Sequence, residues 1–226
     1  MVANVTWSTL GWVHIKVNYR WRGRIAVNET RSVSRVERQA QTRGSLIATA
    51  RDMFLADGYA ATSLDRVALE AGFSKGAVYS NFAGKEELCM AVLDSIHQEQ
   101  IEGVLAAFAQ DTDLDGRIDA FVEWARADLG RPRWTALEVE FAGIARQSPY
   151  VAAELAKRNR EITDALTELI AAVVTEEELD STLTPRQAAT ALLSLGIGLG
   201  AMRSLDSSID VDIFGSIIRA LLDPSS

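Results

Sequence analysis

From residue 37 onward, apolar positions recur three and four apart, the spacing that lines one face of an α-helix. Leu46, Ile47, Ala50, Met53 and Phe54 make the first stripe, on a helix expected from Glu37 to about Asp57 with Gly58 at its C-cap. A long helix from Gly84-Lys85-Glu86 to about Gln110 follows, with Leu88, Ala91, Val92, Ile96, Val104, Leu105 and Phe108 inward. Further stripes predict helices over 115–129, 134–147 and 149 to about 175. Thr184-Pro185 starts an eighth helix, since proline suits a first helical position. Ile213, Phe214, Ile217, Ile218, Leu221 and Leu222 mark a ninth. Only Val13 to Trp21 alternates as a strand would, and a lone strand is unstable. The expected fold class is therefore all-α, with about nine helices.

The first and fourth helices are separated by two short ones, within Thr62 to Lys85. Ser63 caps the first, which carries Leu64, Val67, Ala68 and Ala71 on one face. Gly72 supplies the positive φ of a sharp helix exit. Ser74 caps the second, which turns Ala77, Val78 and Phe82 inward and Lys75, Gly76, Tyr79, Ser80 and Asn81 outward. Two helices about a glycine turn form a helix-turn-helix, whose second member fits a DNA major groove. Lys75 is placed for a base edge, guanine O6 or N7. Gly76 allows close backbone approach, and Ala77 at most a thymine methyl.

Composition adjusts this picture more than it changes it. The 226 residues carry a net charge of −8, which argues against DNA at first sight. Residues 1–45, however, hold eight Lys+Arg against two Asp+Glu, a local +6 that leaves −14 for the rest. Acidic charge beyond a screening length of about 8 Å costs little, so the local patch decides. Residues 1–36 are expected to be a basic, disordered extension; the alternative is an arm touching DNA backbone or minor groove. The single cysteine, Cys89, excludes an internal disulfide and a cysteine-based zinc site, and His14 and His97 add no metal cluster. No metal and no cofactor is expected. No apolar run reaches the roughly 18 residues of a membrane span. A cytosolic location without membrane attachment is expected. Aspartates 111, 113 and 115 lack the glutamate that would complete a calcium loop. No catalytic constellation is present either, so the chain reads as a non-enzyme.

Phe54, Gly58, Tyr59, Thr62, Ala68, Ala71-Gly72-Phe73-Ser74-Lys75-Gly76, Val78-Tyr79, Phe82 and Lys85-Glu86-Glu87-Leu88 together resemble the DNA-binding domain of TetR-family transcriptional repressors. The close match covers Gln41 to about Val92. The resemblance implies backbone contacts from Thr62, Tyr79 and Lys85. The DNA-binding set is then Thr62, Ser63, Ser74, Lys75, Gly76, Ala77, Tyr79, Ser80, Asn81 and Lys85. Ser80 and Asn81 stand where the family often has an aromatic residue and histidine. The expected division is a helix-turn-helix DNA-binding domain over 37–85 and a helical ligand-binding and dimerisation domain over 86–226.

The second part holds two charges that sit badly in a simple core. Glu138 shares a face with Trp134, Leu137 and Phe141, and Arg158 and Asn159 fall between Leu155 and Ile162. A buried charge needs a partner. Either Glu138 pairs with Arg158, or both line a ligand cavity with Phe121, Trp124, Trp134, Phe141 and Asn159; a third possibility is that both reach water at the edge of a wide face. Gly196, Gly198 and Gly200 interrupt the apolar eighth helix and allow another helix to approach. In the family the last two helices commonly form a four-helix dimer bundle; close packing within one subunit is the alternative. The expectation is a homodimeric repressor, released from a palindromic double-stranded operator by a small-molecule effector. The alternative is a DNA-binding regulator controlled by a protein partner.

Overall fold

The computed structural model describes residues 34–177 and 183–222, so the extension over 1–33, its strand-like pattern and the acidic 178–182 segment lie outside the described residues. Among the described residues there are nine α-helices and no strand. They are α1 (Arg35–Asp57), α2 (Leu64–Glu70), α3 (Lys75–Tyr79), α4 (Lys85–Phe108), α5 (Leu114–Asp128), α6 (Pro132–Ile144), α7 (Pro149–Glu176), α8 (Pro185–Leu205) and α9 (Asp212–Leu222).

The ends of these helices follow local chemistry. Ser34 and Glu37 cap α1 reciprocally: the Ser34 hydroxyl accepts from Glu37 N at 3.1 Å, and the Glu37 carboxylate accepts from Ser34 N at 2.7 Å. The helix thus begins at Arg35, two residues before the expected start, and Ser34 to Val36 belong to it rather than to an extension. Gly58, with φ 86°, ends it. Asp113 accepts from Gly116 N at 2.9 Å and caps α5, which gives the aspartate-rich loop a structural purpose. Thr184 and Gln187 repeat the reciprocal cap on α8.

Two apolar cores result. The first joins Leu46, Ala50 and Phe54 of α1 to Val67, Val78 and Phe82, and continues through Leu88 to Leu93 and Ile96 of α4. Leu137, Phe141 and Val151 complete it from α6 and α7. The second gathers Ile118, Phe121, Val122 and Ala125 of α5 with Ile170, Val173, Ala188, Ala189, Leu199, Phe214 and Ile218. The first core therefore does not end at residue 85. Helix α4 runs through both cores, and it is enclosed on all sides from Leu88 to Leu93.

The glycines of α8 divide by direction. A Cβ on Gly196 would meet the Phe214 ring at 3.5 Å, and one on Gly200 would lie 3.7 Å from Gly130 N. Both therefore serve close packing within the subunit. Gly198 is open, beside exposed Ile197. By length and composition α8 is apolar enough to cross a membrane, with a mean hydropathy of 1.4, and only 22% of that window is buried. Its outward apolar face, with Ile197, Met202 and Leu205 exposed, accounts for this. Gly130 holds the turn between α5 and α6 at φ 73°, and a Cβ there would fall 2.6 Å from Arg203 Cβ and 2.9 Å from Gly200 O. Gly130→Ala is expected to destabilise the fold by about 1–3 kcal/mol through the left-handed backbone alone, with the overlap adding to it. Urea denaturation checks this, and an unchanged midpoint would show a turn that relaxes freely.

Candidate nucleic-acid interface

Helices α2 and α3 are too short to hold themselves, so caps and packing hold them. Ser63 Oγ accepts from Arg66 N at 3.2 Å, and Ser74 Oγ from Ala77 N at 3.2 Å. Between them Gly72 takes φ 72°, which lets Phe73 N return to Ala68 O at 2.9 Å. Val67, Ala68, Val78 and Phe82 anchor the pair on α1. The opposite face presents Ser63, Ser74, Lys75, Gly76, Tyr79 and Ser80 to solvent, with Ala77 half-buried beside them. Buried residues therefore set the position of this face, and exposed ones make up its surface.

Lys75 Nζ pairs with the Asp65 carboxylate across the turn, and that hydrogen bond raises the lysine pKa. Both side chains are exposed, and such pairs contribute little, so a better acceptor replaces Asp65 readily. Tyr79 is 58% exposed and points away from the core. The other side chains of the expected set are occupied by the protein itself. Ser80 Oγ donates to Ala77 O at 2.9 Å, and Asn81 Nδ2 donates to the same oxygen at 2.8 Å, closing the end of α3.

Two residues differ from their expected roles. Thr62 is 2% exposed, and its hydroxyl donates to Gly58 O at 3.0 Å. It fixes the turn between α1 and α2 rather than facing a phosphate with its side chain. Lys85 folds back: its Nζ donates to Ala60 O at 3.2 Å and lies 4.1 Å from the centroid of the Tyr59 ring. Burial lowers its pKa, while Glu140 works in the opposite sense. The same enclosure pushes the Tyr59 phenol up to about 12. Thr62→Val, which keeps the volume and removes the hydroxyl, is expected to cost about 1–3 kcal/mol because Gly58 O loses its buried donor. Denaturant midpoints check this; a stability unchanged by the substitution would return Thr62 to a contact role.

Two further residues carry no signal in the sequence. Arg43 Nη1 donates to Asn81 O at 2.9 Å, and its guanidinium lies 4.2 Å over the Phe82 ring, so α1 fastens the end of α3. Glu140, on α6, accepts from both Tyr59 N and Ala60 N, each at 2.8 Å. These partners lie 38 and about 80 residues apart in the chain, and no local pattern announces them.

The seven residues expected around a ligand do not enclose one cavity. Phe121 and Trp124 belong to the second core, with Trp124 laid against Gly103. Trp134 and Phe141 belong to the first, and Asn159 is exposed. Glu138 and Arg158 are not partners. Glu138 Oε1 lies 2.6 Å from His97 Nε2, and Arg158 pairs with Asp94 and donates to Met90 O at 3.2 Å. Arg158 does line a small polar cavity of about 120 Å³, with Arg43, Asp94, Glu154 and Lys157 among its walls. Cys89 is buried and its thiol pKa pushed up by burial, which makes it unreactive. Among the described residues no three His, Cys, Asp or Glu side chains are grouped to hold a metal ion.

Known proteins share both parts of this architecture. Residues 46–92 match the family described as bacterial regulatory proteins, tetR family, and residues 115–223 match the BetI-type transcriptional repressor C-terminal family. The chain is 33% identical over 130 residues to the transcriptional activator FasR of Mycolicibacterium smegmatis, covering 58% of this chain and 59% of that one. It is 25% identical over 190 residues to the transcriptional regulator TcmR of Streptomyces glaucescens, covering 81% of this chain and 82% of that one. Among solved structures, Salmonella enterica GusR superposes with a TM-score of 0.60 at 23% identity, over 85% of this chain and 99% of that one. A TetR-family regulator from Rhodococcus sp. gives 0.67 at 17% identity, over 81% of this chain and all of that one.

Proposed function

Because this chain belongs to the TetR family of bacterial transcriptional regulators, we propose that it is a homodimeric repressor released from a palindromic operator by a small molecule. The observation that carries the DNA reading is the exposed N-terminal turn of α3, Ser74-Lys75-Gly76, held out by buried Val78 and Phe82. A helix presented this way enters the major groove with its first residues at the base edges. Lys75 exchanges Asp65 for a base acceptor, and Tyr79 reaches a phosphate. Residues 37–85, capped from Ser34 and completed by α4, form the DNA-binding unit, and 86–226 serve ligand binding and dimerisation. Such a regulator works where the chromosome lies, in the cytosol.

Two copies are needed because one short recognition helix buries too little surface for tight specific binding. The outward side of α8 with Ile213 of α9 supplies the apolar face for the second copy. Release then follows from a population shift: an effector favours a form whose two α3 helices are wrongly spaced. The same families include activators, as the name of FasR states for that protein. Repression is our reading of this chain.

One observation favours the second reading, control by a protein partner. The polar cavity of about 120 Å³ is small beside the 300–1,000 Å³ or so of ordinary ligand sites. The larger depression of about 530 Å³ along α8, lined by Thr184, Arg186, Gln187, Thr190, Ala191 and Ser194, lies open on the surface, so an enclosed effector has to widen the polar cavity or open another space between helices. The dialysable fraction of a cell extract distinguishes the two: it releases bound DNA if the effector is small, and only the retained fraction does so if a protein acts.

Selection from randomised duplex DNA by the full chain tests the reading as a whole. The expected product is a partial palindrome with half-sites about 34–36 Å apart. Enrichment of no sequence at all would overturn it. On the selected duplex, Tyr79→Phe is expected to weaken binding by about 1 kcal/mol for every sequence alike, as loss of one phosphate hydrogen bond requires. Fluorescence anisotropy measures this, and an unaltered affinity would place the hydroxyl away from DNA.

A further inference from the structure

We infer that Glu140 is a positioning residue for DNA binding, the point where the ligand-binding part of the chain grips the DNA-reading helices; this rests on the DNA-binding function proposed above. Its carboxylate takes two consecutive backbone N–H groups, Tyr59 N and Ala60 N, at 2.8 Å each. Charge-assisted bonds to backbone amides are among the stronger hydrogen bonds, and a paired set fixes orientation as well as distance. The amides belong to the turn after α1, where Gly58 at φ 86° leaves room for the carboxylate; a Cβ on Gly58 would sit 3.3 Å from Glu140 Oε2.

Three elements meet at this turn. Lys85 at the start of α4 covers the Tyr59 ring and bonds Ala60 O. Thr62, two residues on, ties the turn back to Gly58 and leads directly into the Ser63 cap of α2. The path from Glu140 to α3 is therefore four short steps: the 59–60 amides, the Thr62 turn, the Ser63 cap and the α2–α3 pair. On the other side, α6 is packed on α7 and α8. Its Leu137 and Phe141 lie in the first core, and Glu138 is fastened to His97 of α4. Helix α6 thus joins the first core to α7 and α8, and Glu140 is its polar grip on the DNA-reading end.

A contact that merely stabilised the fold would lower the melting temperature and leave the affinity of folded protein for DNA unchanged. A positioning residue lowers the affinity well below the melting temperature. The experiment uses the full chain and the duplex that the wild-type chain selects from a randomised library. Glu140→Gln keeps the size but offers one acceptor oxygen and a repelling NH₂, so one amide loses its partner. Affinity for that duplex is expected to fall about tenfold, the equivalent of one such hydrogen bond. The salt dependence should not change, because Glu140 touches no phosphate. In ¹⁵N-labelled protein the Tyr59 and Ala60 amide resonances should move, followed by those of α2 and α3. Glu140→Asp, which withdraws the charge by one methylene, should act in the same direction and serves if the glutamine variant folds poorly. Glu99→Gln is the control: it removes a carboxylate paired with Arg51 that lies outside the turn, and affinity should stay as in wild type. Wild-type or tighter affinity in both Glu140 variants, with the amide shifts present, would overturn the assignment. A wild-type chain that selects no duplex would overturn the DNA-binding reading, and this assignment with it.

Discussion

Asp94→Ala should destabilise the folded chain by about 2–4 kcal/mol, far more than an ordinary surface substitution. Arg158 is only 7% exposed, and among the described residues Asp94 is the carboxylate that bonds its guanidinium, accepting from Nε at 3.0 Å and from Nη2. The remaining acceptors are Met90 O and the Met90 thioether sulfur, 3.7 Å from Nη1. Without Asp94 a buried positive charge keeps one carbonyl and one weak acceptor, beside a small polar cavity. Because the Asp94 side chain is 41% exposed, water compensates part of the loss, which sets the value below that for a fully enclosed pair. The double substitution Asp94→Ala, Arg158→Met should recover most of it, since the uncompensated charge is gone and methionine fills the space. Urea denaturation of the two single variants and the double variant is the measurement. An Asp94→Ala variant within about 0.5 kcal/mol of wild type, the range of ordinary surface changes, would show that the pair does not hold α4 to α7.

The second large effect concerns assembly. Ile197→Glu with Met202→Glu should yield folded monomers and lower operator affinity about 100-fold or more, because each copy then binds one half-site without the gain of linkage. Both residues are more than half exposed on α8, and neither supports the subunit's own core. Gly196 and Gly200 are poor probes of the interface, because they face Phe214 and Gly130 inside the subunit. Sedimentation velocity and far-ultraviolet circular dichroism check the two halves of the expectation. A helical double variant that stays dimeric would move the interface off this face.

What the sequence makes legible is local. Ser63, Gly72, Ser74 and Thr184 act within four residues of themselves, so caps and turns are readable from residue type and spacing. The start of α1 carries such a signal too, since Ser34-Arg35-Val36-Glu37 is a serine followed three residues later by glutamate. The surrounding basic residues lack an apolar stripe, and that hides it. The expected pocket fails for a different reason. Phe121 and Trp134 share no face, and only the course of α4 through both cores decides which aromatic residue joins which. The unbroken burial of Leu88 to Leu93 also removes the periodicity that would place Asp94 against Arg158. Lys85 and Thr62 turn inward against expectation because position within a motif says nothing about a nearby carbonyl. Ala60 O and Gly58 O claim them in the folded chain.

If the exposed start of α3 reads DNA sequence, Lys75→Ala is the substitution that shows it most directly. Affinity is measured by anisotropy on the selected duplex and on a series carrying each base-pair change in one half-site. For wild type, one position contacted by Lys75 should discriminate by about 1–3 kcal/mol, and in the variant that discrimination should vanish while the other positions keep theirs. A variant that loses affinity equally for every duplex, with all base preferences intact, would contradict the account, because Lys75 would then touch only the phosphate backbone.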